Sequence, residues 1–146
     1  MENKPLSIPS SGTVPLKILV VDDQEMNRRL LMTMLSHLGL HSEQVTEGNE
    51  AVQYCQTHEV DCILMDVNMP LMDGLQATIE IRKNEQNVAK KKKVIIVAIT
   101  ANAMMGDRET FLSSGMDFYI PKPIKIKDLR DVIGRCIQRF SETPLH

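Results

Sequence analysis

The chain predicts an α/β fold in which five strands alternate with five helices around one open, doubly wound parallel sheet. Three observations predict it. The 146 residues amount to one domain at about 150 residues per domain, enough to bury a core without staples. Short runs rich in Val, Ile and Leu alternate with segments of helical period, the pattern of βα units. Residues 62–65 (CILM) and 94–99 (VIIVAI) are apolar at every position, as strands covered on both faces are.

Each element follows in order. Residues 1–15 hold four Ser or Thr and three Pro without periodicity, which predicts a flexible lead or interdomain linker before a domain over 16–140 and a tail over 141–146. Residues 17–21 (KILVV) predict a central strand. Met26, Leu30, Leu31, Met34, Leu35 and Leu38 form a stripe of period 3.6 that stops at Gly39, predicting the first helix. Residues 41–46 are more polar and suit a strand at the sheet edge; residues 49–57 present Ala51, Val52 and Cys55 as a short helical face. The third strand ends at Asp66, and a turn follows through Asn68, Met69 and Pro70. Gly74 opens a third helix with Leu75, Thr78, Ile79 and Arg82 on one side, leading to a solvated loop that carries Lys90 to Lys93. After the fourth strand, residues 104–114 predict a helix stopped by Gly115 and residues 118–120 a short fifth strand. Leu129, Val132, Ile133, Cys136, Ile137 and Phe140 form the apolar face of the last helix.

Composition removes several function classes. Seventeen Lys and Arg against nineteen Asp and Glu leave a net charge of −2, and aromatics are 3% with no Trp. Nucleic-acid binding therefore lacks both its basic footprint and its stacking platforms. The longest apolar runs are far short of the roughly twenty residues a membrane-crossing helix needs, and the N-terminus has no secretory h-region. A cytoplasmic protein is expected. Cys55, Cys62 and Cys136 are odd in number and widely spaced, which predicts buried free thiols; the four His have no metal-ligand spacing with Cys or carboxylate.

In open parallel sheets ligands bind beyond the carboxyl ends of the strands. Here those ends carry Asp22 and Asp23, then Asp66, then Thr100, with Lys122 close after the fifth strand. Taken singly, each has an ordinary explanation as a helix cap, a turn former or a surface lysine. Together, three carboxylates would repel one another unless a cation neutralises them. An all-oxygen donor set with few protein ligands suits Mg²⁺, and a carboxylate beside a divalent cation, a hydroxyl and a lysine suits in-line phosphoryl transfer to a carboxylate oxygen. Asp66, alone on the middle strand, is the natural acceptor.

Four motifs carry a resemblance: VVDDQEMNRRLL with Asp22 and Asp23; ILMDVNMPLMDG with Asp66, Pro70 and Gly74; AITANAM with Thr100 and Ala101; and YIPKPI with Tyr119, Lys122 and Pro123. In this order and spacing the chain resembles the CheY-like receiver domains of two-component response regulators over about residues 16–140, and most of all the receivers of hybrid histidine kinases. The resemblance implies a flavodoxin-like sheet of strand order 2-1-3-4-5 and a phosphoaspartate at Asp66, received from a phosphohistidine on a histidine kinase or a histidine-phosphotransfer protein. It implies Mg²⁺ on Asp23, Asp66 and the backbone carbonyl of Asn68, with Asp22 acting largely through water. Thr100 would move toward the phosphoryl group and Tyr119 would turn inward behind it. Lys122–Pro123 resembles the family's cis bond, which would aim the lysine, and Pro70 and Gly74 are structural.

The sequence departs from the family's pattern in two places: Pro121 precedes Lys122, and Gln24 follows the acidic pair where Asn is frequent. The chain is expected to be a receiver excised from a hybrid kinase, or else a single-domain regulator, acting as a monomer or weak homodimer, with no enzyme activity beyond its own phosphorylation and dephosphorylation. No DNA-binding output domain is expected after Phe140. A haloacid-dehalogenase-like phosphatase would place its nucleophile after the first strand in an Asp-x-Asp motif, whereas the pair here is contiguous and the lone acid comes third. An interaction module that keeps the fold without the reaction is the other alternative.

Overall fold

The computed structural model describes residues 16–68, 73–88, 93–101 and 105–142; the N-terminal lead, Pro70, Met104 and most of the lysine loop lie outside the described residues. Within them, β1 (Ile18–Val21), α1 (Glu25–His37), β2 (Ser42–Val45), α2 (Gly48–Thr57), β3 (Cys62–Asp66), α3 (Gly74–Asn87), β4 (Ile95–Thr100), α4 (Met105–Ser114), β5 (Phe118–Pro121) and α5 (Ile126–Glu142) alternate as expected. All strand pairs are parallel and the order is β2-β1-β3-β4-β5.

The period of two in the strands divides the core into two layers. Leu19, Val21, Ile63, Met65, Ile96 and Ala98 point to one face, where Ala51 and Val52 of α2, Ala77 and Ile81 of α3 and Phe111 of α4 cover them. Ile18, Val20, Cys62, Leu64, Ile95, Val97 and Ile99 point to the other, against Leu31 and Leu35 of α1 and Leu129, Ile133 and Cys136 of α5. Each such Leu or Ile side chain contributes roughly 1.5–3 kcal/mol on burial. β2 is the polar edge strand that its sequence, SEQV, predicts.

Helix ends follow local rules. Gly39 takes φ +80°, and Leu40 N–H donates to Leu35 O at 2.9 Å, so α1 closes in the left-handed turn that glycine favours. Asp73 caps α3, its side chain accepting from Gln76 N–H at 2.9 Å. Gly74 has no room for a side chain: an added Cβ would stand 2.6 Å from Asp66 O and 2.8 Å from Val67 Cα. The first turn of α3 therefore lies directly against the end of β3.

Two apolar faces differ from expectation. In α1, Met26 is 81% exposed and Leu30 49% exposed, while Leu31 and Leu35 are buried; Met26 and Leu30 stand roughly 100° or more round the helix from the inward line of Leu31 and Leu35. In α3, Ile79 is exposed, and the buried stripe is Gly74, Ala77, Thr78, Ile81 and Glu85. The close seat of Gly74 turns that stripe inward. Glu85 tolerates burial because its Oε2 accepts from Val94 N–H at 2.9 Å and its Oε1 from Arg82 at 2.9 Å. Cys62 and Cys136 are buried free thiols with Sγ atoms 3.8 Å apart, and the hydrogen bond with Cys136, followed by burial, pushes the Cys62 thiol well above its usual value. Cys55 is only half-buried. Among the described residues no helix is long and apolar enough to cross a membrane.

Candidate functional site

Strand register brings the site together. Val21 stands opposite Val45 and Met65, Asp66 opposite Ile99, and Thr100 opposite Pro121, so the carboxyl ends of β1, β3, β4 and β5 finish at one edge. The residues that follow each end meet there. Asp22, Asp23 and Asp66 each offer a carboxylate oxygen, and these oxygens all lie within 4.8 Å of one another. Lys122 Nζ reaches Asp66 Oδ1 at 3.2 Å, across fifty-six residues of sequence, and Lys122 N–H donates to Thr100 O at 2.8 Å. The Lys122–Pro123 peptide bond is cis.

Both carboxylates of strand-end residues also serve their own turns. Asp22 Oδ1 accepts from Gln24 N–H at 2.9 Å and Asp66 Oδ1 accepts from Asn68 N–H at 3.1 Å, each two residues on. The ordinary role as a turn former is therefore real, and it coexists with the convergence. Both hydrogen bonds to Asp66 fall on Oδ1; among the described residues none falls on Oδ2. Neither Asp22 nor Asp66 caps a helix: the residue before α1 is Gln24, and α3 is capped by Asp73.

Electrostatics give the cluster its character. Asp22 and Asp66 are buried and Asp23 is exposed. Burial raises the Asp22 carboxyl above its ordinary value, with the charges of Asp66 and Asp23 adding to the rise, while the Gln24 amide and Lys122 oppose it. Among the described residues one ammonium, that of Lys122, faces the three carboxylates. The donors are all oxygen, two are held by turns and one is open to solvent, and the site keeps negative charge in excess; this set fits a hard divalent cation that retains waters. Thr100 is 1% exposed at the end of β4. Tyr119, in β5 opposite Ala98, is half-buried and packs against the α2–α3–α4 layer of the core. Asn68 is exposed just past Asp66.

Sequence reasoning missed one residue at this edge. Arg28, in the first turns of α1, donates from NH1 to Asp22 O at 2.9 Å and from Nε to Gln44 Oε1 on β2 at 2.8 Å. No periodicity announces it, because its partners are a main-chain carbonyl and a residue of another strand.

Known proteins are similar to this chain in sequence and fold. The family model described as "Response regulator receiver domain" matches residues 18–134. Hybrid signal transduction histidine kinase G of Dictyostelium discoideum is 46% identical over 127 residues, covering 86% of this chain and 4% of that protein, so the chain spans a small part of that relative's length. Among solved structures, the receiver domain of a sensor histidine kinase from Pseudomonas aeruginosa is 38% identical at a TM-score of 0.73, covering 86% of this chain and 99% of that one, and holds a magnesium ion in its active-site cleft. The receiver domain of the Saccharomyces cerevisiae regulator Ssk1, crystallised with the histidine phosphotransfer protein Ypd1, is 28% identical at a TM-score of 0.80, covering 85% of this chain and 91% of that one. With a family model that matches most of its length and relatives of this likeness, this chain belongs to the response regulator receiver domain family.

Proposed function

We propose that the domain accepts a phosphoryl group on Asp66 from a phosphohistidine of a histidine kinase or a histidine-phosphotransfer protein. The observation that carries this is the meeting of Asp66 with Asp22, Asp23 and the Lys122 ammonium at one strand edge. In the transfer an Asp66 oxygen forms the new P–O bond as the P–N bond to the donor imidazole breaks, and the imidazole keeps the electron pair and a proton. Asp22, Asp23, Asp66 and the backbone carbonyl of Asn68 would hold Mg²⁺, which when bound would neutralise charge on the transferring group. Lys122 carries the second positive charge and, being tied to Asp66, needs no search for the phosphoryl oxygens. Thr100 supplies a hydroxyl for a phosphoryl oxygen.

The same residues give a switch. Thr100 moves toward the new phosphoryl group and Tyr119 turns inward, altering a surface that partners read. Tyr119 supports this by lying at a cleft of about 390 Å³ with Phe111 and Leu112 of α4 and Val132 and Arg135 of α5. The domain spans residues 16–140, acts in the cytoplasm within a hybrid histidine kinase, and turns over only its own phosphoryl group; the match to a kinase of that class supports the setting. Pro70 and Gly74 shape the loop after Asp66, and Pro123 the lysine's approach.

Phosphotransfer from a labelled phosphohistidine donor, with Mg²⁺, tests the assignment. Asp66→Asn is expected to abolish labelling while the circular dichroism spectrum and melting stay native-like. Undiminished labelling of that variant would show that the acceptor lies elsewhere, and many turnovers on a chromogenic phosphomonoester would favour a phosphatase instead.

A further inference from the structure

We infer that Arg28 is a positioning residue for the acidic pair, bracing the β1–α1 loop against β2 so that Asp22 and Asp23 face the cation. The inference rests on the proposal that these aspartates hold Mg²⁺. The carbonyl that Arg28 NH1 grips at 2.9 Å belongs to the peptide joining Asp22 to Asp23. A peptide unit is planar, so fixing its oxygen fixes the plane from which the Asp23 side chain departs. Asp23 needs such help: it is exposed, and among the described residues no hydrogen bond to its carboxylate is present. Asp22 is held differently, by its own turn to Gln24 and by its N–H, which donates to Val45 O at 3.3 Å. The other end of the brace is Gln44 Oε1, 2.8 Å from Arg28 Nε. Arg28 is thus anchored on β2 and on α1, and the planar guanidinium spans the gap in a way an ammonium does not.

Two effects of Arg28 on a bound cation have opposite signs, which makes the role separable. As a positive charge it repels Mg²⁺, so its removal by itself tightens binding. As a brace it orders the ligands, so its removal weakens binding. The experiment is a Mg²⁺ titration of the isotope-labelled full chain at constant ionic strength, reading the amide shifts of Asp23, Gln24 and Val67 by NMR. Such shifts report on the folded protein, so a merely stabilising contact would not move the fitted affinity. Arg28→Met is expected to weaken Mg²⁺ binding roughly tenfold, the range usual for groups that orient metal ligands. Arg28→Lys should lose nearly as much despite keeping its charge. Gln44→Ala, which leaves the charge and α1 untouched on an exposed edge strand, should weaken binding about threefold through the loss of one hydrogen bond. Unchanged or tighter binding in Arg28→Met and Gln44→Ala, with saturable binding in the parent chain, overturns the brace and leaves the Mg²⁺ site standing. Absence of saturable shifts in the parent chain removes the Mg²⁺ site and the brace together. Should Arg28→Met not fold, Gln44→Ala decides alone.

Discussion

The two edges of the sheet use the same kinds of residue for opposite ends. At the amino-terminal edge, Arg82 of α3 donates from NH1 to Glu85 Oε1 at 2.9 Å and Val94 O at 2.8 Å, from Nε to Gly115 O at 2.9 Å and from NH2 to Asp117 Oδ2 at 2.9 Å. Asp117 also accepts from Ile96 N–H at 2.9 Å and from Arg139 at 2.8 Å, and Arg139 lies over the Phe118 ring at 4.8 Å. Two guanidiniums meet two carboxylates there, and every member is hydrogen-bonded. At the carboxyl edge, among the described residues, three carboxylates meet the Lys122 ammonium. The nearby Arg28 guanidinium directs its bonds to Asp22 O and Gln44 instead of a carboxylate, so negative charge stays in excess. Buried charge that is matched and bonded holds elements together; buried charge left in excess costs stability and persists where a ligand completes it. The contrast marks the carboxyl edge as the working one.

The largest expected effect lies at the matched edge. Arg82→Met leaves the buried Glu85 Oε1 without its donor and takes one of two guanidiniums from the partly buried Asp117, which keeps Arg139. It should destabilise the fold by about 3–5 kcal/mol in chemical denaturation. A loss under 1 kcal/mol would mean that the two edges do not differ in this way. Gly74→Ala sits between core and site. Its new Cβ meets main-chain atoms, 2.6 Å from Asp66 O, and should cost about 1–3 kcal/mol by overpacking, with the Asp66 and Val67 amide resonances shifting most.

At the working edge the sign should reverse. Asp22→Asn keeps an acceptor for the Gln24 N–H but removes a charge that burial and two neighbouring carboxylates disfavour. Without Mg²⁺ it should stabilise the protein by about 1 kcal/mol, and with Mg²⁺ the parent chain should regain the difference by binding the cation. Paired melts with and without the ion read both halves. A destabilised Asp22→Asn in Mg²⁺-free buffer would break the comparison.

The smallest effect belongs to an acid at the working edge that is satisfied. Glu50 Oε1 accepts from Thr46 N–H at 2.8 Å, Thr46 Oγ1 at 2.9 Å and Glu47 N–H at 3.2 Å. The Thr46 amide, followed by its hydroxyl, holds the Glu50 carboxyl below its ordinary value. A folded value below the unfolded one means stabilisation that is complete above the unfolded value near 4.5 and lost as pH falls through the folded value. Glu50→Gln should therefore remove a small part of the acid sensitivity below that pH and leave Mg²⁺ binding alone. Identical pH profiles of stability would show that this solvent-exposed box contributes nothing.

Much of this was legible in the residues themselves. The element order, the edge position of β2, the end of α1 at Gly39 and the convergence of Asp22, Asp23, Asp66, Thr100 and Lys122 on one edge all follow from local patterns and one topological rule. The faces of α1 and α3 were misjudged in part, because period alone identifies a stripe and not how much of its width is covered, and Met26 and Leu30 stand on the flank of the line that Leu31 and Leu35 bury. Arg82 was placed on one side of the third helix without a partner, and Arg28 was given no role. Both act through main-chain carbonyls and residues on other elements.

The sequence by itself determined which segments fold as strands and helices and which chemical groups follow each strand, since those depend on neighbours within a few residues. Only the tertiary structure decided distances: Lys122 to Asp66, Arg82 to Asp117, and the sulfur of Cys62 to that of Cys136. Such contacts join residues 35 to 74 positions apart, and they are set by strand order, register and the seating of each helix, which no local period encodes.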